Sequence, residues 1–274
     1  MKLHLPRIAL ALSALGALLS AGPAAAADLY LTGQFTVAGT TFDSGGYTTS
    51  QPSNPDDPTF HVANTGDDSD SGWVLGGAFG YAVPFNEMVP LDWDWPLADW
   101  TVRFELEGKS GGDTEYLTDG LDPYISTVFS WQLMNNLWLD IPLDTPLRWA
   151  VGRVPWLVPL TFQATAGFGL SATEIKTTNN VFRGKTLDYG FAWQAGFGLG
   201  YRLTDRVTLS TGYRYLDLGQ HSFNLKSGGF PEPLGKMKVA LASHELNFGF
   251  RVAFYPVSSP GEWGLRSRNR FKRN

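Results

Sequence analysis

Seven charged residues sit at alternate positions of otherwise weakly charged segments. Arg103, Glu105 and Glu107 lie in TVRFELEG, Arg202 in GLGYR, Arg214 in GYRY, and Glu245 and Arg251 in HELNFGFRV. Alternate residues of an extended chain share one face, so these side chains project together with signs that can pair. Charges enclosed between strands must be paired, because unpaired burial costs several kcal/mol or more. The chemistry they offer is a salt-bridge network filling an interior or, more sharply, a gate whose rearrangement passes ions. Nucleophilic chemistry has one adjacent His/Ser pair, His221-Ser222 in GQHSFN. In an extended chain these two point to opposite faces and cannot meet as base and nucleophile. His61, His221 and His244 are the only histidines past residue 27, and no H-E-x-x-H or P-loop pattern occurs. No catalytic, cofactor-binding or metal-ligating residue is assigned.

Two further charge groups stand apart. Asp43, Asp56, Asp57, Asp67, Asp68 and Asp70 follow one another with no basic residue between them. Their oxygens suit Ca²⁺, but the spacing and distal Glu of a helix–loop–helix site are missing, which favours a solvated loop. Arg266, Arg268, Arg270, Lys272 and Arg273 close the chain and could attract anionic headgroups or cell-wall polymer by charge alone.

The elements that must position these residues alternate with period two. Leu246, Phe248, Phe250, Val252 and Phe254 oppose Glu245, Asn247, Gly249, Arg251 and Ala253; Phe191–Arg202, Val207–Tyr215 and Leu160–Leu170 repeat the pattern. So do Leu29–Val37, Trp73–Tyr81, Trp100–Glu107 and a stretch within Tyr124–Ile141, where continuing the parity puts Asn135 on the apolar face and predicts a bulge or a membrane edge. That makes eight segments, each near the ~9–11 residues a tilted membrane strand needs. Bulky aromatics on one face suit lipid, and Gly, Ala, Ser and Thr with a few charges on the other suit a narrow lumen. Aromatics reach 14%, charged residues only 17%, and cysteine is absent, which excludes disulfides and thiolate sites.

Residues 1–27 read as a secretory signal: Lys2 and Arg7, then the apolar run Ile8–Leu19, then the small residues Ala24–Ala27. Setting aside Lys2, Arg7 and the five basic and one acidic residues past Phe254 leaves 14 basic and 25 acidic of the chain's 21 and 26. An acidic body argues against nucleic acid as a partner.

GFGLGYRLTDRVTLSTGYRYLDLG (Gly196–Gly219) and SHELNFGFRVAF (Ser243–Phe254) resemble the last three strands of the opacity-type and OmpA-like small outer-membrane barrels of Gram-negative bacteria. DLYLTGQF (Asp28–Phe35) resembles that family's first strand and TVRFELEGKSGGD (Thr101–Asp113) its third. The resemblance implies an eight-stranded barrel with variable surface loops, porin-like or surface-antigen in role, inserted by the outer-membrane assembly machinery. The expectation is an all-β chain: signal 1–27, an eight-stranded antiparallel up-and-down transmembrane β-barrel over 28–254, and a periplasmic basic tail over 255–274. Its partners would be outer-membrane lipid and lipopolysaccharide. Asp43–Gly72, Lys109–Leu121, Thr173–Asp188 and Asp217–Ala242 are expected as surface loops. Pro84–Asp99, Asn135–Pro159 and the turn Leu203-Thr204-Asp205 are expected on the periplasmic side, the first two as Trp/Pro-rich chain at the membrane border or a small plug. The rival roles are an adhesin acting through its loops, a lipid-A-modifying enzyme and a soluble carrier.

Overall fold

The computed structural model describes residues 28–51, 54–61, 68–88, 99–117, 125–144, 159–178, 182–227 and 235–254. The expected signal (1–27) and basic tail (255–274) lie outside the described residues, as do 89–98 and 145–158 of the two Trp/Pro-rich connections.

The described chain is strand almost throughout. In order come β1 (Asp28–Gln51), β2 (Asn54–His61), β3 (Asp68–Pro84), a single-turn helix α1 (Phe85–Met88), β4 (Thr101–Gly111), β5 (Thr114–Leu117), β6 (Ile125–Pro142), β7 (Leu160–Thr178), β8 (Phe182–Arg202), β9 (Val207–Ser227) and β10 (Gly235–Ala253). The sheet runs β10-β9-β8-β7-β6-β4-β3-β1 and closes on itself through β10–β1. Of the ten strands, β2 pairs only with β1, and β5 pairs with β6 directly after β4. The closed ring therefore has eight members, each antiparallel to the next. Closure leaves no edge strand among the eight members of the ring, one of only two ways to satisfy backbone groups in lipid.

At one end of the barrel, here the turn end, residues 203–206 link β8 to β9. Thr204 Oγ1 accepts the amides of Arg206 and Val207. Phe254 N donates to Leu29 O there, so β1 begins where β10 finishes. The opposite end, the loop end, carries β2 and β5.

β8 alone has 21 residues. At ~3.3 Å per residue and a tilt of ~40° it rises roughly 50 Å, about twice the ~25 Å apolar band of such barrels. The strands therefore stand well clear of lipid, and the side-chain pattern shows where. In the turn half of β10, Leu246, Phe248, Phe250 and Val252 are exposed outward, as is Phe254 just past its end, while Glu245 is buried inward. In the loop half the polarity reverses: Met237, Val239 and Leu241 are buried inward, and Lys236 and Lys238 are exposed. Aromatic pairs mark the borders of the apolar belt. Toward the loop half Trp131 and Tyr189 meet edge-on at 6.4 Å and Trp193 and Tyr215 lie tilted at 5.5 Å, and Tyr81 stacks on Phe104 at 5.1 Å toward the turn end. Amphipathic rings favour such interfaces.

Three sequence expectations change. The strands run much further than the apolar alternation: Lys109, most of Thr173–Asp188 and most of Asp217–Ala242 are strand rather than loop. Asn135 brings no bulge. The β6 register is unbroken against β4 and β7, with Asn135 opposite Leu106 and Phe168 on the outward face. Finally, β6 continues to Pro142, so Asn135–Pro142 is barrel wall and not connection.

Candidate functional site

β4 supplies four inward charges in succession, Arg103, Glu105, Glu107 and Lys109, all buried. Period two keeps them on one face. The neighbouring walls complete a polar interior with Asn136 and Asp140 from β6, Gln194 from β8, Arg214 from β9, Glu245 and Asn247 from β10 and Gln34 from β1. Glycines make room for these long side chains. A Cβ at Gly80 would fall 2.6 Å from Tyr30 Oη, and one at Gly196 would fall 2.5 Å from Arg214 Cγ.

The groups form two layers. Near the turn end, Arg103 holds Asp140 through two bonds, Nε to Oδ2 at 2.8 Å and Nη2 to Oδ1 at 3.0 Å. Its Nη1 donates to Glu105 at 2.7 Å and to Tyr30 Oη at 3.3 Å. Arg251 donates to the same Asp140 at 3.1 Å. The Arg103 guanidinium also lies 4.7 Å from the Trp138 ring centroid, a cation–π contact.

The second layer centres on Glu107. Arg214 Nη1 donates to both its oxygens at 3.0 and 2.9 Å, Gln194 Nε2 donates at 3.0 Å, and Gln34 and Asn136 donate as well. Lys109 Nζ reaches both oxygens of Glu245 at 2.8 Å, and Arg214 Nε approaches Glu245 at 3.5 Å. Arg214 Nη2 donates to Asn247 at 2.8 Å and to Gln34 at 3.2 Å. Across both layers the cations Arg103, Lys109, Arg214 and Arg251 face the anions Glu105, Glu107, Asp140 and Glu245, so the charges of these eight residues cancel. A cavity of about 50 Å³ beside them is lined by Thr32, Arg103, Glu105, Gly198, Ser210 and Arg251.

Six of the seven sequence-selected charges meet in this network. Arg202 does not. It lies half-exposed at the turn-end rim opposite Thr208, and among the described residues it joins no ion pair. Two members were missed. The apolar alternation alone puts Lys109 in a loop and Asp140 in a connection, although extending the parity of Glu105 and Glu107, or of Asn136, by a few residues brings both inside.

The ring of antiparallel strands has an apolar exterior, an aromatic-bordered belt and a paired ionic interior, and residues 9–254 match the family described as outer membrane protein beta-barrel domain. The chain belongs to that outer-membrane β-barrel family. Solved structures share the likeness: Neisserial surface protein A at 16% identity, covering 84% of this chain and 99% of that one with a TM-score of 0.40; the outer membrane protein OprG from Pseudomonas aeruginosa at 15%, covering 82% and 96% with 0.41; and the outer membrane protease OmpT from Escherichia coli at 8%, covering 83% and 97% with 0.35. No curated protein matches it.

Inside this outer-membrane barrel, the loop half is filled by apolar side chains, of which Tyr116, Ile175, Met237, Val239 and Leu241 lie in stretches expected as surface loop. Phe42 stacks on Tyr116 at 4.8 Å, and Met134, Ile175, Leu216, Met237, Val239 and Leu241 complete an apolar cluster. Above the belt the outward face meets water, so the apolar residues turn inward as they would in a soluble protein.

The nucleophile candidates do not assemble. His221 is buried, its Nδ1 3.2 Å from Asp188 Oδ2, while Ser222 is exposed on the other face. A G-x-S-x-G string does occur at Gly108–Gly112, but it straddles the end of β4 rather than a strand-to-helix elbow, and Ser110 is exposed opposite Trp131. Of the acidic run, Asp56 and Asp57 fall in β2 and Asp68 and Asp70 in β3, while Asp67 lies outside the described residues. Asp43 is exposed, and Asp70 accepts the amides of Ser71 and Glu115 at 2.7 and 2.9 Å.

Proposed function

We propose that this outer-membrane barrel is a structural, porin-like wall element. It spans the outer membrane with its turn end toward the periplasm, presents its long loop half outward, and keeps its lumen closed. One observation carries this reading: three buried cations, Arg103, Lys109 and Arg214, and the half-buried Arg251 pair across the bore with four buried anions, and the apolar cluster around Met134 and Met237 stacks on top of them. About eight strands leave an interior that side chains can fill. Ions would have to break buried pairs in the Glu107–Arg214 layer and then cross an apolar plug, so any passive conductance is small. The role includes no catalysis. Residues 1–27 direct export, the assembly machinery inserts the barrel, and the basic tail rests on anionic headgroups or cell-wall polymer on the periplasmic side.

Planar-bilayer recording of the purified full chain tests this. The native protein should show at most rare, small openings, and Met134→Ala with Met237→Ala, which thins the plug, should raise the open time. Steady, large conductance from the native protein would overturn it.

A further inference from the structure

The collar of strand that stands above the apolar belt is divided by charge. On β7 to β10 the outward, exposed positions carry Lys176, Arg183, Lys185, Lys226, Lys236 and Lys238. On β1 and β5 the outward, exposed positions at the same height carry Asp43 and Glu115. The basic side contains two like-charged pairs set directly across neighbouring strands: Lys176 faces Lys185, and Arg183 faces Lys226. Like charges directly opposite one another destabilise a sheet. Among the described residues one carboxylate relieves them: Glu174 takes Lys176 at 2.8 Å and Lys185 at 3.3 Å. The other carboxylates of these strands are engaged elsewhere, Asp188 with His221 and Asp217 with the Gly219 amide of a bulge whose glycine has φ 83°. Among the described residues, Arg183, Lys226, Lys236 and Lys238 face outward without an anion.

Their height identifies what they face. Lys185 stands four residues beyond Tyr189 of the aromatic border, on the order of 10 Å of rise at ~3.3 Å per residue and the usual tilt. That is the headgroup layer of the leaflet bathing the loop half. Directly below, Leu187, Tyr189, Phe191 and Trp193 are exposed and offer a surface for acyl chains. We infer that the outward face of β7–β10 is a docking surface for a phosphate-bearing glycolipid of the outer leaflet, with acyl chains on the β8 aromatics and phosphates between Arg183, Lys185 and Lys226. The inference rests on the membrane placement proposed above and adds a partner and a side: one face of the barrel binds and the acidic face does not.

The test uses the full chain refolded in nonionic detergent, with binding measured for bisphosphorylated lipid A, for the same lipid with its phosphates removed, and for inorganic phosphate. The phosphorylated lipid should bind best, its affinity falling as salt is raised. Each charge removed should cost about 5-fold, so the Arg183→Gln, Lys185→Gln, Lys226→Gln triple variant should lose on the order of 100-fold while Asp43→Asn changes nothing. Equal binding of the dephosphorylated lipid, a triple variant that binds as the native chain does, or inorganic phosphate accounting for all the binding would each overturn the docking surface. If the triple variant fails to fold, the salt dependence and the lipid preference of the native chain decide. Folded barrels shift in gel mobility on heating. A native chain without that shift would sink the membrane reading itself, whereas a shift kept alongside lost lipid preference counts against the docking surface alone.

Discussion

Lys109 Nζ lies 2.8 Å from both carboxylate oxygens of Glu245, joining β4 to β10 inside the bore, and the lysine side chain is wholly buried. Such a pair is stable only as a pair. Removing one partner strands the other charge at a cost of about 3–5 kcal/mol, whereas replacing both with apolar groups is often neutral or better.

Glu245→Gln is therefore expected to lower the urea midpoint of the barrel in lipid vesicles sharply, by a loss of about 3 kcal/mol or more. Lys109→Met combined with Glu245→Met should recover most of it. Losses that simply add in the double variant would mean that the two residues do not depend on one another.

The belt predicts its own position. Phe250 is the middle of the five exposed apolar residues Leu246, Phe248, Phe250 and Val252 of β10 and Phe254 just past its end. Arginine at a lipid-facing site costs about 2–4 kcal/mol at the bilayer midplane and about 0–1 near the interfaces. Phe250→Arg should thus destabilise the folded barrel far more than Phe254→Arg, measured as vesicle-bound unfolding. Equal costs would place the centre of the belt elsewhere.

Gly80 is expected to be intolerant. Its Cβ would press on Tyr30 Oη and on Phe104 O, both at 2.6 Å. Moving Tyr30 disturbs the ring that packs against Arg103 and Arg251. Gly80→Val should cost about 1–3 kcal/mol, in the range of core overpacking. Gly108→Val, where a Cβ meets nothing within 4 Å, should cost less in the same unfolding assay.

Much of this architecture is legible in the sequence, and the part that is not has one physical cause. The segments that alternate with bulky residues outward, such as Leu246–Phe254, announce themselves because lipid demands an apolar face. The next stretch up the same strand, Lys236–Ala242, also alternates, but Met237, Val239 and Leu241 occupy the parity that Glu245 and Arg251 hold lower down. Inside and outside do not change; the solvent does. A search for one continuous apolar face stops at His244 and assigns the rest to loop. Lys109 and Asp140 were lost from the ionic network in the same way, each lying a few residues past an apparent strand end. The bulge at Gly219 and the short β2 hairpin have no period to betray them. By contrast, the divergence of His221 and Ser222 follows from alternation alone.

The outward face of β10 meets lipid only in the turn half and water in the loop half. Nitroxide labels at Lys236, Lys238, Leu246, Phe248 and Phe250, read by collision with oxygen and with a water-soluble nickel chelate in lipid vesicles, test it most directly. The labels at 246, 248 and 250 should collide with oxygen and those at 236 and 238 with nickel, the change falling near His244. Nickel access at 248 and 250, or oxygen access that continues undiminished to 236, would contradict the account.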